Sequence, residues 1–204
     1  MTQGYLIVFE GIDGTGKSTH CRMLADFLNE RGTAVTRLRE PTDGPWGRKI
    51  REILKNGRGG VTPEQELTWF VNDRREDVEN NILPALRKNN VVLLDRYYYS
   101  TAAYQGALGI DPAKIIAANE QFAPVPDRAF IFIAPPETCL DRIGLSREGY
   151  SSFEKLEYLR RVQDIFVSFS GSHIQQVDST RTPEEVHTIL RDEVLRLIEP
   201  GVQT

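Results

Sequence analysis

Four short apolar runs punctuate the chain, and segments of helical period fill the intervals between them. Residues 5–9 (YLIVF), 34–38 (AVTRL), 91–94 (VVLL) and 129–133 (AFIFI) are brief and rich in β-branched or aromatic side chains. Three of these runs are almost continuously apolar, as strands covered on both faces require. Residues 174–177 (IQQV) form a weaker fifth candidate. After Lys17, the residues Cys21, Leu24, Ala25 and Leu28 recur at i, i+3, i+4 and i+7, which predicts a helix with one apolar stripe. Thr62-Pro63-Glu64-Gln65 reads as a capping box with proline at the first helical position, and Thr182-Pro183-Glu184-Glu185 repeats it. Asp111-Pro112 opens another helix. Strand–helix alternation with short connections predicts an α/β fold: a doubly wound, mostly parallel five-stranded sheet flanked by helices. Residues 144–152 (GLSREGYSS) show no period and read as a mobile surface loop.

Composition narrows the class. The 204 residues suit a single domain, 1–204. With 25 Lys and Arg against 29 Asp and Glu the net charge is −4, so the broad basic footprint of a duplex nucleic-acid binder is missing. Any polyanion must therefore meet a local cluster of cations. No apolar run reaches the roughly 20 residues of a membrane span, and the N-terminal segment lacks the basic and apolar regions of a signal peptide. Cys21 and Cys139 are too few for a disulfide framework, and His20, His173 and His187 are isolated. A cytoplasmic protein is expected, with no membrane or nucleic-acid partner.

The chemistry begins at Gly11-Ile12-Asp13-Gly14-Thr15-Gly16-Lys17-Ser18, followed by Thr19, which matches G-x-x-x-x-G-K-[ST] between a strand and a helix. Glycines let the backbone curl so that N–H groups face phosphate oxygens, and the helix adds its positive end. Lys17 is placed to reach the β and γ phosphates, and the Ser18 hydroxyl to ligate Mg²⁺. Asp95, at the carboxyl end of the 91–94 strand, is a second candidate for holding Mg²⁺ through water; the alternative is a carboxylate that caps the next segment. These features indicate ATP or another nucleoside triphosphate. The guanine-reading N-K-x-D segment of GTPases does not occur, which leaves kinases and partner-stimulated ATPases. Arg39 and Arg96 each follow a strand, and their convergence on the P-loop crevice would supply the second anion site that a kinase needs.

Taken together, FEGIDGTGKST (9–19), REP (39–41), Phe70 with Arg74, DRYYYSTAAYQG (95–106), Pro126-Asp127 and VDST (177–180) resemble the thymidylate kinase family over nearly the whole chain. The resemblance implies transfer of the γ-phosphoryl group of ATP to dTMP with Mg²⁺, and a homodimer. It implies that Phe70 stacks on thymine, Arg74 hydrogen-bonds the base, Arg96 and Arg39 hold the acceptor phosphate, and Tyr104 contacts the sugar and excludes a ribose 2′-OH. Gln105 and Thr101 lie beside the base, Thr101 where relatives often carry Asn or a small residue. Asp13 orients the transferring phosphate. Phe70 and Arg74, four apart on the helix begun by Thr62, share one face; core filler beside a solvated arginine is the structural alternative. Some relatives carry Arg at the position of Gly14, and those without it use lid arginines. The lid expected here is about 143–154, with Arg147 as the arginine finger, Arg142 just before it and Glu154 as a weaker candidate. Ser179 and Thr180 lie where adenine contacts are expected. The alternative readings are a kinase for another pyrimidine monophosphate and a P-loop ATPase acting as a switch.

Overall fold

The computed structural model describes residues 4–144 and 149–199, with side chains described over 4–144 and 155–199. Five strands, β1 (Tyr5–Glu10), β2 (Val35–Arg39), β3 (Val91–Asp95), β4 (Arg128–Ile133) and β5 (Ile174–Asp178), form one sheet in the order β2-β3-β1-β4-β5. Every pairing is parallel, with Phe9 opposite Asp95 across β1 and β3. All five fall on the runs expected from the apolar pattern. The inner strands β1, β3 and β4 are buried on both faces, which is why they read as continuous apolar segments.

Alternate residues of β1 feed two separate cores. Leu6 and Val8 face a layer with Ile82, Tyr97, Val162 and Phe166, whereas Ile7 and Phe9 face Cys21, Leu24, Leu28 and Leu190. The second layer is covered by α1 (Lys17–Glu30) and α9 (Pro183–Ile198). The first is covered by α3 (Pro63–Asp77), α4 (Leu83–Arg87), α5 (Tyr98–Gly106), α6 (Pro112–Glu120) and α8 (Gly149–Ser168), while α2 (Pro45–Asn56) packs on α3 and α7 (Pro136–Arg142) on α8. Both capping boxes form, at Thr62 with Gln65 and at Thr182 with Glu185. Between α3 and α4 a π-helical turn, Val78–Ile82, carries a bond from the Leu83 N–H back to the Val78 carbonyl. Pro84 follows it; a proline inside a helix crowds the carbonyl four residues back, and the wider turn relieves that crowding. Helix α8 begins at Gly149, inside the segment 144–152 expected to be a loop, and residues 145–148 of that segment lie outside the described residues. No described helix is long and apolar enough to cross a membrane.

From β1 the chain runs to β2 and β3 on one side and then crosses to β4 and β5 on the other. Parallel sheets bind ligands beyond the carboxyl ends of their strands at such a reversal. The glycine-rich loop after β1 and the Asp95-Arg96 pair after β3 both lie there.

Candidate active site

Gly11, Gly14 and Gly16 all have positive φ, and their loop curls directly into α1. At Gly14 the requirement is double. Its φ is +90°, and a Cβ there would lie 2.3 Å from the Cys139 carbonyl of α7. The loop is fastened from within by the Thr15 hydroxyl, which donates to the Ile12 carbonyl at 2.8 Å. Lys17 is buried, and its ammonium reaches the Ile12 carbonyl and the Asp13 carboxylate, each at 3.3 Å. Burial, followed by the nearby Arg96 charge, pushes the Lys17 amine down to about 8.

Arg96 turns into this loop. Its guanidinium donates to the Asp13 carboxylate at 2.6 Å, to the Gly11 carbonyl at 3.2 Å and to the Ser100 hydroxyl at 2.9 Å. Burial works against an ionised Asp13, but Arg96 and Lys17 outweigh it and hold that carboxyl below the usual range. Glu10, the last residue of β1, lies beneath. It accepts from the Tyr97 N–H at 2.8 Å and from the Ser100 hydroxyl, and burial pushes its carboxyl up to about 7.

The metal-side residues also come together. The Ser18 hydroxyl donates to Asp95 Oδ2 at 2.5 Å, while Asp95 Oδ1 is buried with no hydrogen-bond partner. A hydroxyl paired with a carboxylate that keeps one oxygen free suits a hard cation such as Mg²⁺, which takes oxygen ligands and retains waters. Arg39 belongs to this edge. Its Nε lies 4.0 Å from Asp95 Oδ2, its side chain is 71% exposed, and with Ser18, Thr19 and Arg22 it lines a cavity of about 440 Å³.

A second cluster faces the loop from α3 and α5. Arg74 is 1% exposed. Its Nη2 donates to Glu40 at 2.5 Å and to the Thr101 hydroxyl at 3.0 Å, and its Nη1 to Asn119 at 2.8 Å, while Nε has no partner. Burial pushes the Glu40 carboxyl up and the Arg74 charge opposes it. Asp73 accepts from the Thr42 N–H and hydroxyl at 2.8 and 2.6 Å, pinning the segment after Glu40 to the same helix. Phe70, one turn before Arg74, is half-buried and belongs to neither core layer. Its partial exposure and its place outside both core layers leave the ring open to a flat ligand. Tyr104 lies under Arg96, the guanidinium carbon 5.4 Å from the ring centre, and both the Tyr104 hydroxyl and Gln105 Oε1 are buried without partners. Unsatisfied buried polar atoms call for a partner, and a bound ligand can supply one.

On the donor side Arg142 reaches back from α7, donating to the Gly14 carbonyl at 3.3 Å and to the Ser179 carbonyl at 3.0 Å. The Ser179 hydroxyl donates to the Ile133 carbonyl at the end of β4, and the Thr180 hydroxyl donates to Asp178 within its own turn, so both are engaged inside the protein. Arg147 and the side chain of Glu154 lie outside the described residues. Glu10, Glu40, Asp73, Ser100 and Asn119 were not singled out from the sequence. The available signal was a carboxylate ending an apolar strand, as at Glu10, or directly following one, as at Glu40.

Comparison with known proteins agrees with this arrangement. A family model described as "Thymidylate kinase" matches residues 9–189. The chain is similar to a thymidylate kinase of Desulfotalea psychrophila, 44% identical over 197 residues and covering 96% of each chain. A thymidylate kinase of Akkermansia muciniphila is 46% identical over 189 residues, 93% of this chain and 90% of the relative. A probable thymidylate kinase of Archaeoglobus fulgidus is 42% identical over 194 residues, 95% and 94% of the two chains.

Proposed function

The chain belongs to the thymidylate kinase family, and we propose that residues 1–204 act as one kinase domain whose crevice holds ATP and dTMP head to head. As a family member it is an ATP-dependent nucleoside monophosphate kinase that converts dTMP to dTDP, with Mg²⁺ as cofactor. The observation that carries the site assignment is the direction of Arg96, whose guanidinium turns into the P-loop between the phosphate cradle and the Arg74–Thr101 cluster.

In this reading the main chain of residues 11–19 wraps the donor phosphates, and Lys17 neutralises the β and γ groups. Phe70 stacks on the thymine ring, Arg74 and Thr101 meet its polar edge beside Gln105, and Tyr104 lies against the deoxyribose. Arg96, with Arg39 at the rim, holds the acceptor phosphate. An oxygen of that phosphate bonds to the γ-phosphorus as the bond to the β-phosphate oxygen breaks, and ADP leaves. A phosphate oxyanion needs no strong base, so positioning and charge neutralisation supply most of the rate. Asp13 keeps Arg96 and Lys17 aimed until the substrates take them over. Ser18 and Asp95 would hold Mg²⁺, which would supply charge neutralisation at the donor phosphates. Arg147 would bring a further positive charge to the transferring group. Cytoplasmic location, a homodimer and the lack of nucleic-acid partners belong to the same proposal.

A coupled assay of ADP formation across dTMP, dUMP, dCMP, UMP and AMP tests it. The expected result is a clear preference for dTMP. Preference for UMP or AMP removes the thymine site, and hydrolysis of ATP without any phosphorylated acceptor removes the kinase reading.

A further inference from the structure

Tyr104 sits in the last turn of α5, where helix carbonyls run out of main-chain donors. The next N–H groups bypass it: Leu108 donates to the Gln105 carbonyl and Ala107 to the Ala103 carbonyl. The Tyr104 carbonyl is instead satisfied from another helix. The Tyr158 hydroxyl of α8 donates to it at 3.0 Å.

The charge that acts on this phenol is anchored in turn: the Arg58 guanidinium, from the segment between α2 and α3, favours the ionised phenol against its burial and is held by Glu66, a carboxylate 1% exposed on α3, with a 2.6 Å bond from Nε to Oε2. Glu66 stands one turn before Phe70, on the face that carries Arg74. The Tyr104 ring is boxed as well, with Phe166 edge-on at 6.3 Å and the Tyr158 ring at 6.4 Å. Arg96 covers the ring, its guanidinium carbon 5.4 Å from the ring centre.

We propose that Tyr158 is a positioning residue that sets sugar specificity: its hydroxyl, bound to the orphaned Tyr104 carbonyl, fixes how closely the Tyr104 ring approaches the acceptor's 2′-carbon. The inference rests on the acceptor assignment given above. A ring held from behind by its own main chain cannot retreat to admit a 2′-hydroxyl. A ring held only by side-chain packing can.

The test is Tyr158→Phe, which keeps the ring and removes one oxygen. Steady-state kinetics with dTMP and with ribothymidine 5′-monophosphate, which differs only by the 2′-hydroxyl, are measured beside KM for ATP and Tm. The KM for dTMP is expected to rise about two- to tenfold, the scale of one lost hydrogen bond. The deoxy-to-ribo ratio of kcat/KM should fall by a similar factor, with KM for ATP unchanged and Tm lowered by no more than the few degrees that one hydrogen bond accounts for. An unchanged ratio overturns the proposal. So does a variant in which Tm, kcat and both KM values deteriorate together, because the hydroxyl is then merely structural. A wild-type enzyme that accepts both sugars equally removes the acceptor assignment itself, a failure visible before any variant is made.

Discussion

The Arg96 guanidinium and the Asp13 carboxylate meet at 2.6 Å, which ties the turn after β3 to the phosphate loop after β1. Arg96 adopts this position at φ +72°, in the left-handed region that side chains with a Cβ rarely occupy. Such a conformation costs on the order of 1–3 kcal/mol and persists only where the surroundings impose it. Here the Arg96 N–H donates to the Phe9 carbonyl at 3.0 Å, continuing the sheet bonding while the side chain swings over the loop.

Two substitutions separate strain from chemistry. Arg96→Ala and Arg96→Gly should both lower phosphoryl transfer by at least about a hundredfold, as loss of a preorganised charge does. Both should leave the Kd for ATP near that of the wild type. The glycine variant should be the more stable of the two by about 1 kcal/mol, because glycine occupies positive φ freely. Chemical denaturation and single-turnover transfer, measured together, check both halves. Near-wild-type transfer in either variant removes Arg96 from the acceptor site.

Phe70→Ala should raise the KM for dTMP roughly 5- to 150-fold, the range implied by base-stacking energies of about 1–3 kcal/mol. Because the ring belongs to neither core layer, stability should fall by less than about 1 kcal/mol. An unchanged KM with a large drop in Tm would return Phe70 to a packing role.

Glu10 gives the enzyme a pH-dependent stability. Burial raises its folded pKa to about 7 from 4.5, so the native state binds the extra proton between those values. The associated stabilisation is present below about pH 4.5 and is lost as pH rises through about 7. Glu10→Gln keeps an acceptor for the Tyr97 N–H and should remove that slope. Relative to wild type it should gain on the order of 2–3 kcal/mol at pH 8 compared with pH 4. Urea titrations at several pH values read this directly, and parallel curves for the two proteins would refute it.

Two arginines near the donor site should differ in kind. Arg142 bridges the Gly14 and Ser179 carbonyls, so Arg142→Ala should raise the KM for ATP with kcat little changed. Arg147→Ala should lower kcat more than it alters either KM. The reverse pattern would exchange their roles.

The strands were legible because three of them are buried on both faces, and two of the helix starts because Thr62 and Thr182 announce themselves through capping chemistry. Helix α5 was harder to read. Tyr98, Tyr99, Ser100, Thr101, Ala102, Ala103 and Gln105 are all buried, so no polar face marks the helical period. The P-loop was legible as a contiguous string, whereas the shell around Arg74 was not. Glu40, Thr101 and Asn119 come from three distant stretches, and only folding brings them to one guanidinium. The Tyr158 contact was hidden for the same reason, since its partner is a main-chain carbonyl that no side-chain pattern encodes.

The packing of α7 against the apex of the phosphate loop limits how this enzyme can change. A single codon replacement at Gly14 cannot give the loop a second cation beside Lys17, because even the first carbon of a new side chain would strike the Cys139 carbonyl. In this lineage, mutations that tune the rate of transfer should accumulate outside the loop, in segments that approach it from above.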